Sequence, residues 1–222
     1  MPITDSFYGD LDQSTVKIIR GRENIGFPKA CNKTVARSVS PLIFLLNDDV
    51  VMQPEALDKL VRVMDDPKIG VVGMKLLFPT EFPNLKPEIR PAGKVQHIGI
   101  HTNIRGEFLH SFIGWSSDNP KVNNQREVYA VTGAALMTRR SIWNKLRGLD
   151  EIYSPGNWED VDYCLKVREI GYNVVVEPEA VATHYTGATS EKYNLYFPFE
   201  QNRLKFLQRW QDKMEWWEGR IL

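Results

Sequence analysis

Along the first third of the chain, apolar residues follow two spacings in alternation, and that alternation predicts layered strands and helices. Leu42 to Leu46 is an unbroken apolar run, short enough for a strand and continuous enough for one covered on both faces, as in a parallel sheet flanked by helices. Val16 to Ile19 reads as a shorter strand before it. Between them Gly26-Phe27-Pro28 opens a helix to about Ser38, with Pro28 suited to the first turn. After the apolar run, Pro54-Glu55 starts a second helix, in which Leu57, Leu60, Val61 and Met64 recur at i, i+3, i+4 and i+7. This spacing predicts one stripe turned toward the sheet. Ile69 to Met74 is the next strand. The order predicts an α/β layer architecture with right-handed crossovers.

Beyond this the texture changes. Phe78 to Asn124 is rich in Pro, Gly, Asn, His and aromatic residues with weak periodicity, which predicts loops and short antiparallel strands of the kind that build pockets. Val128 to Met137 reads as a strand interrupted at Thr132-Gly133-Ala134-Ala135, where missing bulk admits either a ligand or a closely packed backbone. A helix follows Asn157-Trp158-Glu159-Asp160, with Val161, Cys164, Leu165 and the Arg168 stem on its inner side and Gly171 as its cap. Val174 to Val176 is a buried strand, and Ala180 to His184 follows Glu177-Pro178. Near the end, Phe199, Arg203, Phe206, Leu207, Trp210, Met214 and Trp217 share a helical face. That face either docks on the core or meets another subunit, an adjoining domain or a membrane presenting a lipid-linked acceptor. The chain thus divides into a domain over residues 1–190 and a helical extension over 191–222 packed on it.

Composition narrows the partners. Lys plus Arg and Asp plus Glu number 28 each, so no global field draws the chain to nucleic acid or to anionic lipid, and any polyanion is recognised locally. Cys31 and Cys164 fall in helical stretches without a CxxC or Cys/His cluster, the pattern of buried free thiols in a reducing compartment. Met1-Pro2-Ile3-Thr4-Asp5 lacks a basic leader with an apolar core, and no apolar run reaches about 18 residues. The expected location is cytoplasmic, with peripheral attachment at the inner membrane face as one variant.

Three polar clusters carry candidate chemistry. Asn47-Asp48-Asp49 presents two carboxylates where a buried strand surfaces; this is either an Asx turn or a seat for a hard divalent cation. Glu159 and Asp160 lie in a helix's first turn, where they either complement the dipole or offer a base for a sugar hydroxyl, with the neighbour orienting that hydroxyl. His184 ends a strand and is either structural or the imidazole that completes an oxygen-rich cation site. His97, His101 and His110 lack metalloprotease spacing and are pocket-lining candidates.

Together these segments resemble a family. Asn24-Ile25-Gly26-Phe27 with Asn32, Asn47-Asp48-Asp49, Val131 to Met137 with Arg139 and Arg140, Gly148-Leu149-Asp150-Glu151, Trp158 to Asp162, and His184 match in order and rough spacing the family 2 glycosyltransferases of GT-A fold. The resemblance covers roughly residues 16 to 190, and Gln96-His97-Ile98-Gly99 is similar to bacterial rhamnosyltransferase-type members. It implies a Rossmann-like mixed sheet flanked by helices, and an inverting transfer from a nucleoside-diphosphate-sugar, UDP- or dTDP-linked, to a glycan or lipid-linked hydroxyl acceptor. By the same resemblance Asp49 and His184 hold Mn2+ or Mg2+, Asp48 approaches the ribose or the metal shell, and Asn47 replaces a family aspartate, which implies weaker metal binding. Asp160 matches the general base and Glu159 its acidic neighbour. Trp158 and Gly133 match the acceptor and donor sugar pockets, and Lys29 and Asp5 fall on the donor side.

The match departs at the start. Family members begin with a nucleobase-holding strand before the segment at Val16, and here Ile3-Thr4-Asp5-Ser6 is the one candidate remnant. Two other functions stay open. A catalytically silent nucleotide- or carbohydrate-binding module fits a short N-terminus, and a metal-dependent phosphohydrolase also uses clustered carboxylates, though it needs neither the Gly133 pocket nor the Trp158 wall.

Overall fold

The computed structural model describes residues 16–81, 91–103, 107–185 and 198–214. In chain order its elements are α1 (Phe27–Val35), β1 (Leu42–Leu46), β2 (Val50–Met52), α2 (Ala56–Val63), β3 (Ile69–Leu77), β4 (Val95–His97), β5 (Ile100–Thr102) and β6 (Phe108–His110). There follow β7 (Arg126–Glu127), β8 (Ala135–Arg139), α3 (Arg140–Leu146), α4 (Glu159–Glu169), β9 (Asn173–His184) and α5 (Phe199–Met214). The main sheet has the order β1-β8-β3-β9-β2, with β4 beside β3 and β7 beside β9, while β5 and β6 form a separate pair.

The sheet is mixed, and among the described strands only β3 and β9 run parallel. The mixed sheet is the one expected, but the parallel setting suggested for Leu42 to Leu46 is not found. Leu42 to Leu46 pairs antiparallel with β8 and, among the described residues, with nothing on its other side. Its burial accordingly alternates, with Ile43 and Leu45 inside and Leu46 exposed. The strand buried on both faces is β3, where Val71 joins one core and Val72, Met74 and Leu76 the other.

Several boundaries move for identifiable reasons. Residues 16–20 form no strand. On α2 the inward face is Ala56, Leu60 and Met64, so two of the four predicted stripe residues are buried while Leu57 and Val61 stand exposed. The ladder of β8 begins only at Ala135, since the Thr132 N–H turns to His97 Nε2 and the Ala134 carbonyl accepts from the Asn47 N–H. The two short strands expected after Asn173 are one twelve-residue strand, β9, whose register against β3 jumps from Glu177 to Val181 around Pro178.

The family-like segments that touch no cleft serve as joints. Asn32 holds Leu149 from both sides, accepting its N–H at 3.0 Å and donating to its carbonyl at 2.9 Å. A Cβ on Gly148 would stand 2.2 Å from Asn32 Oδ1, so this turn requires glycine. Arg139 donates to the carbonyls of Ile69, Met64 and Asp66, and Arg140 to those of Ser40 and Val35. Both cysteines are free thiols, as expected. No described helix is long and apolar enough to cross a membrane.

The C-terminal helix is docked on the core. Phe206 and Trp210 are fully buried on it, while Phe199 and Leu204 remain exposed. Its polar anchor is Asp162 on α4, a fully buried carboxylate whose Oδ1 accepts from Arg209 Nη1 at 2.7 Å, Trp210 Nε1 at 2.9 Å and the Tyr153 hydroxyl at 3.1 Å. Lys166 Nζ lies 2.7 Å from its Oδ2, and Arg209 also reaches Asp150 at 2.8 Å. Removing a buried carboxylate leaves its partners desolvated without compensation, which is costlier than losing a surface pair. Asp162→Ala is therefore expected to lose about 3 kcal/mol in urea unfolding and to speed proteolysis within α5; unchanged values on both counts would contradict this anchor.

Candidate active site

A cleft of about 640 Å³ opens where the end of β1, the loop before β8, the end of β9 and the start of α4 converge. Its lining includes Asn47, Gly133, Trp158, Asp160 and His184, drawn from segments far apart along the chain.

One corner is built by sheet register. The antiparallel β2–β9 pairing sets Val50 opposite His184, and the Tyr185 N–H donates to the Asp49 carbonyl at 2.9 Å. His184 Nε2 thereby comes to 3.2 Å from Asp49 Oδ1. Gln96 fixes the imidazole from behind. Its Nε2 donates to the His184 carbonyl at 3.0 Å, which orients the amide, so its Oε1 faces His184 Nδ1 at 2.7 Å and accepts the ring proton there. Nε2 is then the ring atom turned toward Asp49. Burial pushes the Asp49 carboxyl upward, but the hydrogen bond and charge of His184, its own backbone N–H and the Asn47 side chain bring it below the ordinary range.

Asp49 Oδ1 is buried, and its 3.2 Å approach to His184 Nε2 suits either a ring N–H between the two atoms or one cation held by both. Adjacent ligands on an octahedral ion with bonds of about 2.1 Å lie about 3 Å apart, close to the separation seen here. The pair fits a divalent cation. Among the described residues no cluster of three or more His, Cys, Asp or Glu is arranged to hold a metal, so other ligands would come from water and substrate oxygens, as is common for Mg2+ with phosphates.

The opposite corner is built by a helix start. Asn157 and Trp158 both have left-handed backbone, with φ of 75° and 79°, a sharp entry that sets Glu159 and Asp160 in the first turn of α4. Asp160 Oδ2 accepts the Gly133 N–H at 2.9 Å and Oδ1 the Val161 N–H at 2.8 Å. A Cβ on Gly133 would lie 3.1 Å from the Phe27 ring and 3.4 Å from Asp160 Cβ, so the missing bulk noted in the sequence lets Phe27 and Asp160 close in on the loop. Trp158 forms an aromatic wall with Phe206 and Phe199, ring centroids 4.8 and 5.5 Å away.

Glu159 differs from its neighbour. Only 6 % of it is exposed, Oε2 has no hydrogen-bond partner among the described residues, and burial followed by the Asp160 charge pushes its carboxyl up to about 8. It is a protonated floor of the cleft at neutral pH, while Asp160 faces two donors. Burial, then Glu159, also pushes the nearby Cys31 thiol up to about 12, which leaves it unreactive as a nucleophile.

The remaining sequence candidates divide. Asp48 is exposed beside the cleft and does not line it. Lys29 is also exposed, on α1, and is not among the lining residues. Asp5, Ile3, Thr4 and Ser6 lie outside the described residues, as does Trp217. Of the pocket-lining histidines His97 and His110 reach the cleft, whereas His101 is turned to the Ser111 hydroxyl at 3.1 Å. Gln96 went unassigned as a site residue; its signal was its place beside His97 in a short Gln-His-Ile-Gly segment.

With this geometry in view, comparison with known proteins defines the class. The family described as "Glycosyltransferase like family 2" matches residues 4–195, and the chain belongs to it. Curated relatives include the O-antigen biosynthesis protein RfbC of Myxococcus xanthus, 30 % identical over 169 residues, covering 72 % of this chain and 12 % of that protein. Another is the N-acetylglucosaminyl-diphospho-decaprenol L-rhamnosyltransferase of Mycobacterium tuberculosis, 24 % identical over 185 residues, covering 77 % of this chain and 59 % of that one. The protein y4gI of Sinorhizobium fredii is 29 % identical over 193 residues, covering 84 % of this chain and 20 % of its own length. The chain thus spans between about an eighth and three fifths of these relatives. Among solved structures, GalNAc-T7 with UDP, GalNAc and Mn2+ superposes with a TM-score of 0.67 at 14 % identity, over 95 % of this chain and 39 % of that one. The mannosyltransferase PcManGT of Pyrobaculum calidifontis, with GDP-Man and Mn2+, gives 0.50 at 12 %, over 90 % of this chain and 53 % of that one. The fold is GT-A.

The raised carboxyl of Glu159 carries a pH signature. Between its ordinary 4.5 and about 8 the folded state keeps a proton that the unfolded state has released. Its contribution to stability is therefore full below 4.5 and is lost as pH rises through about 8. Glu159→Gln removes this titration, so its melting temperature relative to the parent is expected to rise by several degrees from about pH 5 to about pH 9. A constant difference across that range would show that Glu159 is not held protonated.

Proposed function

We propose that this chain catalyses metal-dependent, inverting transfer of a sugar from a nucleoside-diphosphate-sugar to a hydroxyl acceptor in glycan or polysaccharide synthesis. The observation that carries the reading is that Asp160 and His184 line one cleft, with Asp49, itself outside the lining, 3.2 Å from the His184 ring. In this reading Asp160 takes the proton of the acceptor hydroxyl as that oxygen attacks the anomeric carbon. The bond from that carbon to the donor's diphosphate oxygen breaks, and its electron pair leaves with the nucleoside diphosphate. One displacement from the opposite face inverts the configuration.

The protein groups divide the work. The Gly133 and Val161 N–H groups hold Asp160 in its acceptor orientation, and a fixed base spares the reorganisation that a mobile one would need. Trp158 and its aromatic neighbours give the acceptor sugar an apolar face, while the Gly133 loop borders the donor sugar. Asp49 and His184 would hold Mn2+ or Mg2+, which neutralises charge on a departing diphosphate. Asn47 lines the donor side, with the exposed Asp48 at its rim toward the ribose. Solved GT-A neighbours with UDP and Mn2+ or GDP-Man and Mn2+ support a nucleotide donor with a metal, and the name of the L-rhamnosyltransferase relative supports a lipid-linked acceptor. UDP- and dTDP-sugars are the donors to test first.

Asp160→Asn keeps the shape and loses the base. It is expected to lower transfer by about 100-fold or more with nucleotide affinity intact; transfer near the parent rate would refute the assignment. Asp49→Ala is expected to abolish the Mn2+ dependence of UDP or dTDP binding in calorimetry with a small change in melting temperature, and an unchanged metal dependence would remove Asp49 from the metal corner.

A further inference from the structure

Between the two corners sits a histidine pair that the proposed chemistry leaves unused. His97, at the end of β4, is almost fully buried, and its Nε2 lies 3.3 Å from each of two backbone N–H groups, those of Gly99 and Thr132. A backbone N–H can only donate, so Nε2 carries the lone pair and the ring's proton is on Nδ1. The local sequence makes this possible. Gly99 has φ +93°, and a Cβ there would meet Val128 Cγ1 at 2.5 Å, so only glycine turns its N–H back onto His97. Thr132 is free to donate because it lies before the β8 ladder begins.

His97 Nδ1 is 2.8 Å from Nδ1 of His110, the last residue of β6, with the rings edge to face. Since the proton between them belongs to His97, His110 Nδ1 accepts and its own proton must be at Nε2. His110 Nε2 has no hydrogen-bond partner among the described residues, and His110 is solvent-exposed where it lines the cleft. Burial holds the His97 imidazole well below its ordinary range, and the residues packed around His110 lower that ring too, although one edge of it is open to the cleft, while the Asp160 charge pulls it partly back; both rings are neutral at neutral pH. Two backbone amides thus fix, through one buried ring, the tautomer of a second.

We propose that His110 is a substrate-binding residue, held by His97 as a fixed Nε2–H donor for a sugar hydroxyl oxygen in the cleft. This rests on the glycosyl-transfer reading and extends it to specificity. A hydroxyl is the fitting ligand because the donor is uncharged and the Asp160 carboxylate nearby disfavours a phosphate. A fixed donor also discriminates between sugars, since a hydroxyl of the wrong configuration leaves the N–H unpaired. His97 is the positioning residue, acting through His110.

The tautomers are readable without substrate. With four histidines in the chain, long-range proton–nitrogen correlation spectra assigned by single His variants are expected to show His97 protonated at Nδ1 and His110 at Nε2. The opposite tautomer at either ring would overturn the relay, and His97→Phe should release His110 into a mixture. For function, hydrolysis of a UDP- and dTDP-sugar panel with Mn2+ is compared among variants. His110→Ala is expected to lose about tenfold in kcat/KM, the scale of one neutral hydrogen bond, and His110→Gln, which keeps an N–H, to recover most of it. Parent-like activity in His110→Ala would refute the donor role and leave the transferase reading standing. No turnover by the parent of any nucleotide-sugar, nor transfer to any acceptor, would sink the transferase reading and the donor role together, while the spectra still decide the relay.

Discussion

The site depends on a very short ladder. Three residues of β2 pair with the last turn of β9, and that register alone brings Asp49 beside His184. Three residue pairs are a weak tether, and β9 supplies the strength. It is the longest described strand, runs parallel to β3 over most of its length and takes β7 on the same edge system. A slip of one residue would turn His184 to the other face of the sheet. Gln96 then locks what the register delivers, because it bonds both the backbone and the ring of the same histidine.

Element type was largely legible in the sequence, and partner choice was not. The apolar run at Leu42 to Leu46 predicts a strand correctly, yet its periodicity holds no information about direction, and its neighbour β8 turned out antiparallel. On α2 the positions Leu57 and Val61 fit a stripe as well as Ala56 and Leu60 do, since small alanine weighs little in an apolar count. For the site, carboxylates and histidine at strand and helix ends stood out because turns and first turns are where polar groups escape burial. Lys29 lies away from the lining for the converse reason. A charge on an amphipathic helix has a solvated face available, and α1 uses it.

The segment from Trp158 to Asp162 shows why a motif is not a list of catalytic groups. Its five residues point in different directions from one helical turn: Trp158 to an aromatic wall, Glu159 to a dry floor, Asp160 to the Gly133 loop, Val161 to the core and Asp162 to the C-terminal helix. The two outer acids have opposite fates in one burial field. Asp162 is surrounded by Arg209, Lys166, Trp210 and Tyr153, whereas Glu159 has no cation beside it and keeps its proton.

The docked C-terminal helix also shapes the mouth of the cleft. The shared family segment ends at residue 195, but Phe199 beyond it borders the cleft, and Asn202 clamps the carbonyls of Tyr153 and Gly156 at 2.6 and 2.9 Å. Part of the chamber is therefore walled by α5, which follows the matched segment. Loosening the Asn202 clamp would move that wall and reshape the opening while leaving the first turn of α4 in place.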